Sequence, residues 1–183
     1  SEVEHSSYKP KVKPEIFEIE QAVELMSKAK KPVFYTGGGV INSGPEASHL
    51  LKEFVNLTGF PITSTLMGLG AFPAKNDQWL GMLGMHGTYE ANMTMHDSDL
   101  IINIGARFDD RVTGRLDAFS PNSKKIHVDI DPTSINKTID VDVSVIGDCA
   151  HVLENMLILW RSKGYKSDTS KWWDQINLSL IHI

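Results

Sequence analysis

A concentration of charged residues follows one strongly apolar segment of the chain. Residues 100–104 read Leu-Ile-Ile-Asn-Ile, a glycine follows, and the next charged side chains are Arg107, Asp109, Asp110 and Arg111. Guanidinium groups bind phosphate through paired N–H bonds. In open α/β sheets, ligands bind at the carboxyl ends of the strands. The segment therefore predicts either a site for a phosphorylated ligand or a salt-bridged surface turn.

Three consecutive glycines, at positions 37–39, follow another apolar segment and precede a predicted helix. They match the dinucleotide fingerprint G-x-G-x-x-G only in part, because Asn42 occupies the place of its third glycine. The next predicted strand ends in Thr-Ser-Thr at 63–65, without the acidic residue that would bind an NAD ribose. A standard NAD site is therefore not expected. The glycines still allow a ligand to approach the backbone closely, with a plain tight turn as the alternative.

Acidic residues end two later predicted strands. Asp129 and Asp131 lie in the sequence Val-Asp-Ile-Asp-Pro, and Asp148 follows Gly147. The Asp129 carboxylate is expected to accept a hydrogen bond from a ribose hydroxyl or an adenine amine, whereas Asp131 is expected to cap the turn that begins at Pro132. Asp129 is alternatively only a cap, and Asp148 ends its strand in the same manner.

Two segments offer flexible apolar surface next to small residues, Thr-Leu-Met at 65–67 and Leu-Gly-Met at 83–85. Such surface suits a flat heterocycle, although isolated methionines are also typical of a core. His86 follows the second segment and either lines a flavin or substrate channel or has a structural role. The seven histidines lack the spacing of metal ligands, so no metal site is predicted.

Strands and helices alternate along the chain. A first helix is expected from Ile19 to Ala29, and Asn42 and Ser43 are expected to cap a second helix that has Pro45 in its first turn. Further helices are predicted at 88–97 and 150–161. The predicted strands comprise residues 32–36, 61–64, 100–104, 125–129 and 143–146. This pattern predicts a single α/β domain with a doubly wound, Rossmann-like parallel sheet of five or six strands in three α/β/α layers.

Composition narrows the class of protein. The 183 residues are 41% apolar, and the net charge of -5 argues against a nucleic-acid partner. No apolar segment has the length of a membrane span, so no membrane association is expected. The single cysteine, Cys149, excludes an internal disulfide and suits the cytoplasm.

The two ends of the chain differ from its centre. Residues 1–17 are polar with prolines at 10 and 14, which predicts an interdomain linker. Residues 163–183 are expected to be a C-terminal linker or a cut edge. The predicted domain comprises residues 18–162.

Three sequence segments together resemble one enzyme family. GARFDDRVTG at 105–114, TLMGLGAFP at 65–73 and LGMHGTYEAN at 83–92 are similar to the middle domain of the acetohydroxyacid synthase (acetolactate synthase) catalytic subunit. The resemblance extends from about Glu18 to Trp160. It implies a central FAD-binding domain of a thiamine-diphosphate-dependent transferase of branched-chain amino-acid biosynthesis.

The resemblance also implies a flavin site and a parent reaction. The implied FAD-binding residues are Gly37, Gly38, Gly39, Thr65, Leu66, Met67, Leu83, Gly84, Met85, His86, Gly105, Ala106, Arg107, Asp109, Arg111, Val112, Asp129, Ile130 and Asp148. The parent enzyme condenses pyruvate with a second 2-ketoacid on thiamine diphosphate and Mg²⁺, which are bound outside this chain, and the flavin takes no net redox part. The implied partners are the neighbouring thiamine-binding domains, further copies of the chain and a regulatory small subunit.

No catalytic residue is predicted within the chain. It contains no nucleophile and base arrangement and no Gly-Asp-Gly segment of the kind that holds thiamine diphosphate, so the domain alone is expected to be inactive. The alternatives are the flavin domain of a pyruvate oxidase type enzyme and a sirtuin-type nucleotide-binding module, and the absence of zinc-binding cysteines argues against the second. Asp129 stands where some relatives carry glutamate, which shortens the reach toward a ribose.

Overall fold

The computed structural model describes residues 14–84, 87–107, 120, 122–131 and 140–181. Within them the chain alternates helices with strands. The helices are α1 (Ile16–Lys28), α2 (Gly38–Ser43), α3 (Pro45–Thr58), α4 (Tyr89–Asp97), α5 (Cys149–Ser162) and α6 (Ser170–Ile181), with a short 3-10 turn at Leu66–Gly68. The strands are β1 (Pro32–Thr36), β2 (Ile62–Ser64), β3 (Trp79–Met82), β4 (Leu100–Ile104), β5 (Lys124–Asp129) and β6 (Val143–Ile146).

The described strands form one parallel sheet in the order β3-β2-β1-β4-β5-β6. After β1 the chain adds β2 and β3 on one side of it, and it then adds β4, β5 and β6 on the other side. This reversal creates a topological switch point between β1 and β4, and ligands of doubly wound sheets bind at the carboxyl ends of such strands. The predicted doubly wound α/β fold is confirmed.

The larger core lies between one face of the sheet and α1, α3 and α5. Alternate strand residues such as Phe34, Ile102 and Val128 point to this face and pack with helix residues such as Phe54 and Trp160. On α3, Ala47, Leu51, Phe54 and Val55 are buried against this face, and Leu50 is partly buried. Gly59 ends α3 in the left-handed conformation that glycine favours.

The opposite face of the sheet carries a smaller core and the helices α4 and α6. Val33, Tyr35, Met95 and Ile101 pack together there. Trp172 of α6 is buried, and its indole N–H donates to the carbonyl oxygen of Pro32 at the start of β1 over 2.9 Å. This bond ties α6 to β1, one of the two central strands of the sheet. None of the described helices has the length and apolarity of a membrane span.

The sequence predictions missed three elements. They did not include β3 or the short α2, and they assigned the segment that holds α6 to a linker or a cut edge. The capping prediction was also wrong: α3 begins after Gly44 without a side-chain cap. Ser43 instead accepts a hydrogen bond from the backbone N–H of Ala150 in the first turn of α5, 3.2 Å away.

Candidate cofactor-binding cleft

The site is a cleft at the carboxyl ends of β1 and β4, above the switch point. Gly37 ends β1, and its backbone N–H donates to Ile104 O at the end of β4 over 3.2 Å. Gly39 donates in the same way to Gly105 O over 3.0 Å. The floor of the cleft is therefore backbone held against backbone.

The glycines are required by this close approach. A Cβ atom on Gly37 would lie 2.5 Å from Ala106 Cα, and one on Gly39 would lie 2.8 Å from Gly105 Cα. Gly105 has a positive φ of 69°, which side chains rarely permit. Gly38 differs, since the described atoms that an added Cβ would meet belong to Met67, with Cβ 3.4 Å and O 3.6 Å away. Gly37 and Gly39 serve the chain's own packing, whereas Gly38 leaves open space in the cleft.

One part of the cleft has a volume of about 520 Å³ and an apolar lip. The lip is the 3-10 turn, in which Leu66 and Met67 are 68% and 74% exposed. Thr65 fixes this turn, because its N–H donates to Thr36 O and its hydroxyl accepts from Gly68 N over 3.1 Å. Large apolar side chains in so exposed a place are suited to cover a flat ring.

The second part, of about 280 Å³, has an acidic lining. The Ser43 hydroxyl donates to Asp148 Oδ1 over 2.7 Å, which links α2 to the start of α5. Asp129 Oδ1 accepts from Asp131 N over 2.9 Å, and its Oδ2 lies 3.4 Å from His127 Nε2. The carboxylates are thus oriented by neighbours and keep further acceptor positions for a ligand.

Arg107 lies between the two parts and lines both of them. Its guanidinium is exposed and follows directly on the turn that ends β4. The cleft therefore changes along its length from apolar, through cationic, to acidic. This order of groups suits an elongated ligand with a ring at one end, phosphate in the middle and hydroxyls at the other end.

The thiol at the acidic end is buried. Burial, followed by the charges of Asp148 and Asp129, raises the pKa of Cys149 to about 12. A protonated thiol is a poor nucleophile and a poor metal ligand. Among the described residues, no group of three or more metal-binding side chains occurs.

The sequence places this cleft in a known family. A family model described as the central domain of thiamine pyrophosphate enzymes matches residues 19–156, most of the chain. The chain belongs to this family. The match begins in α1 and ends in α5, so the central domain includes every described strand and both parts of the cleft.

Several curated relatives of this central domain are named as acetolactate synthases. The chain is 49% identical to an acetolactate synthase large subunit of Haemophilus influenzae over 177 residues, which is 96% of the chain and 30% of that protein. It is 48% identical to the acetolactate synthase isozyme 3 large subunit of Escherichia coli over 173 residues, with 93% and 30% covered. An acetolactate synthase of Mycobacterium avium is 47% identical over 168 residues, with 91% and 27% covered. The chain spans about 30% of the length of these relatives.

The fold of the central domain brings most of the predicted site residues together. Those that line the cleft are Gly37, Gly38, Gly39, Thr65, Leu66, Met67, Gly105, Ala106, Arg107, Asp129, Ile130 and Asp148. Leu83 and Gly84 do not line it. Leu83 is buried in the smaller core, and Gly84 is held by two hydrogen bonds of 3.0 Å with the side chain of Asn92. Met85, His86, Asp109, Arg111 and Val112 lie outside the described residues.

The sequence predictions missed four lining residues of the central domain, namely Asn42, Ser43, Asp131 and Cys149. Asn42 and Ser43 had been interpreted as helix caps. A usable signal was their position in the segment that follows β1, since ligands of doubly wound sheets bind at the carboxyl ends of such strands. Cys149 carried no such signal beyond its place directly after Asp148.

Proposed function

We propose that this chain is the FAD-binding central domain of an acetolactate synthase catalytic chain. The identities of 44% to 49% over most of the chain to proteins of that name support the assignment. The observation that carries it is the cleft at the switch point, where glycines, one arginine and two carboxylates of the predicted site lie side by side.

The described residues fit FAD in shape and chemistry. FAD is elongated, with an adenosine, a diphosphate and an isoalloxazine ring in sequence. The cleft offers carboxylates at one end, Arg107 in the middle and the exposed Leu66 and Met67 at the other. The space beside Gly38 is open to a ligand, and a Cβ atom on residue 38 would begin to fill it.

Each end of the ligand would meet a different kind of group. Asp129 and Asp148 would accept hydrogen bonds from the adenosine portion, and Arg107 would bind the diphosphate through charge-assisted N–H bonds. Leu66 and Met67 would exclude water from one face of the flavin ring. All of these groups bind and orient, and none of them transfers a proton.

The complete enzyme would join pyruvate to a second 2-ketoacid, with release of CO₂. Thiamine diphosphate and Mg²⁺, bound by other parts of the complete polypeptide, would supply the carbon–carbon bond chemistry. This domain would contribute a bound flavin that takes no net redox part, and no catalytic residue. We further propose a cytoplasmic enzyme that associates with further copies of itself and with a regulatory small subunit.

The test is an acetolactate assay on the complete polypeptide, supplied with pyruvate, thiamine diphosphate and Mg²⁺. Activity is expected to be lost when flavin is removed and restored by FAD but not by FMN. The 183-residue chain alone, assayed beside it, is expected to form no acetolactate. Full activity without flavin, or turnover by the isolated chain within a hundredfold of the complete enzyme, would contradict the proposal.

A further inference from the structure

Two polar side chains lie fully buried on the smaller-core face of the sheet. Asn103 in β4 and His127 in β5 are register partners, and neither has any exposed surface. Strands of a parallel sheet are usually apolar on both faces. An apolar residue would fill either place without the cost of burying an amide or an imidazole, so their polar contacts require an explanation.

Within the described residues, the Asn103 side chain binds the backbone of a single residue. Its side-chain oxygen accepts from Ala106 N, and its side-chain nitrogen donates to Ala106 O, each over 2.8 Å. The pair closes the turn directly after β4. The side-chain amide of Asn103 thus satisfies the backbone N–H and C=O of Ala106, as a neighbouring strand would do within the sheet.

His127 reaches the same carbonyl oxygen from the neighbouring strand. Its Nε2 lies 3.1 Å from Ala106 O and 3.4 Å from Asp129 Oδ2. Both neighbours are acceptors, so Nε2 carries a proton. The imidazole N–H therefore donates to the turn after β4, and the carboxylate at the end of β5 lies 3.4 Å from the same nitrogen.

The turn is consequently fixed at successive backbone atoms. Gly105 N donates to Val128 O over 3.0 Å, and Gly105 O accepts from Gly39. Asn103 holds the backbone N–H and C=O of the next residue, Ala106, and His127 holds the same C=O. Arg107 follows immediately and reaches both parts of the cleft.

We infer that Asn103 and His127 are positioning residues, a buried bracket that sets Arg107 and Asp129 toward a bound dinucleotide. The inference rests on the proposed FAD site. The bracket acts through the backbone of Ala106 and touches no ligand. It assigns a functional reason to the one polar residue within the apolar strand β4.

The test measures the affinity of the complete polypeptide for FAD by flavin fluorescence. Asn103→Ala is expected to weaken FAD binding about tenfold, because the backbone N–H and C=O of Ala106 lose their hydrogen bonds to the Asn103 side chain. When it is added to Arg107→Ala, the same substitution should weaken FAD binding by less than about twofold, because the effects of coupled residues are not additive. Thr63→Val is the matched control, a buried polar residue on the same face whose hydroxyl makes only a 3.5 Å contact with Phe34 O, and it should leave affinity unchanged.

Amide exchange provides a second readout that does not need a ligand. The Ala106 amide should exchange at least about tenfold faster in Asn103→Ala than in Thr63→Val at equal global stability. His127→Phe removes the imidazole donor to Ala106 O but leaves both bonds from Asn103, so it should give a smaller effect and serves if the alanine variant does not fold.

Four results separate the possible failures. Unchanged FAD affinity, or the same loss in both Arg107 backgrounds, would overturn the bracket while leaving the FAD site in place. Unchanged exchange at Ala106 would also overturn it. Absence of FAD binding by the unsubstituted protein would overturn the proposed function, and the exchange rates would then decide on the bracket alone.

Discussion

Gly39 donates its backbone N–H to the carbonyl oxygen of Gly105 over 3.0 Å, across the point where the sheet reverses its strand order. A Cβ on Gly39 would lie 2.8 Å from Gly105 Cα, and one on Gly105 would lie 2.9 Å from Gly39 Cα. Neither side of the contact admits a side chain. The floor of the cleft is therefore as narrow as two backbones permit, and the ligand site is built above it.

The first prediction separates the glycines that pack from the glycine that makes room. Gly38→Val should fold and lose FAD binding, because its new side chain enters the cleft beside the exposed Met67. Gly39→Ala should lower the free energy of unfolding by about 1–3 kcal/mol, since its Cβ meets backbone. Urea unfolding and flavin occupancy, measured together, check both.

A Gly38→Val protein with full flavin occupancy would show that the glycines serve only the turn. Loss of the folded state in Gly38→Val at ordinary temperature would lead to the same conclusion.

The second prediction concerns charge in the middle of the cleft. Arg107→Ala in the complete polypeptide should weaken FAD binding by about 1.5–3 kcal/mol, roughly ten- to a hundredfold, through the loss of charge-assisted bonds to phosphate. Arg161→Ala removes the same charge from an exposed ion pair with Glu53 at the end of α5 and is the control. Equal affinities in the two variants, measured by fluorescence titration, would remove Arg107 from the site.

The third prediction tests how α6 holds the fold. Trp172→Phe should lower the free energy of unfolding by about 1–3 kcal/mol, because a buried hydrogen bond to Pro32 O and packing volume are both lost. Trp173→Phe should cost less than about 1 kcal/mol, since Trp173 is only half-buried and Gly59 O keeps its bond from the Thr169 hydroxyl. Urea unfolding of both variants checks the order, and the reverse order would show that α6 is held mainly at Gly59.

The fourth prediction concerns the buried thiol. Burial and the nearby carboxylates raise the pKa of Cys149 from 9.0 to about 12, so the folded state favours the protonated form. This contribution to stability is fully present below pH 9 and declines as pH rises toward 12. Cys149→Ala should therefore lose less stability than the unsubstituted protein between these pH values, as measured by urea unfolding.

Thiol labelling gives an independent check at neutral pH. A disulfide reagent should modify Cys149 only as fast as the protein unfolds, and at once in denaturant. Rapid labelling of the folded protein would contradict the raised pKa.

Strands of branched apolar residues were the part of the fold that the sequence predicted best. The bounds of β1, β4 and β6 agree with the predicted ones. The edge strand β3 was missed because its residues, Trp-Leu-Gly-Met, are not branched at Cβ and include Gly81, whose φ is positive. Helix α2 was missed because it starts with two glycines, which disfavour helix, and is held by contacts across the switch point.

The site was predictable where it depends on chain position and not where it depends on side-chain geometry. Glycines and charges that follow strands meet at one sheet edge in any doubly wound fold, and this brought Gly37, Arg107 and Asp129 together. The contacts of Asn103 with Ala106 require a specific turn, so the sequence showed only a polar residue in an apolar strand. Leu83 was assigned to the site by resemblance, and its side chain is buried in the smaller core.

Identification of the cofactor held by the complete polypeptide tests the central claim most directly. The protein is purified without added flavin and denatured, and the released small molecule is identified by chromatography and mass and counted against the chain. The account predicts FAD, close to one per chain, and a greatly reduced amount from Gly38→Val. Release of NAD or FMN instead, or no nucleotide from a folded and active protein, would contradict the assignment of the cleft between β1 and β4 as an FAD site.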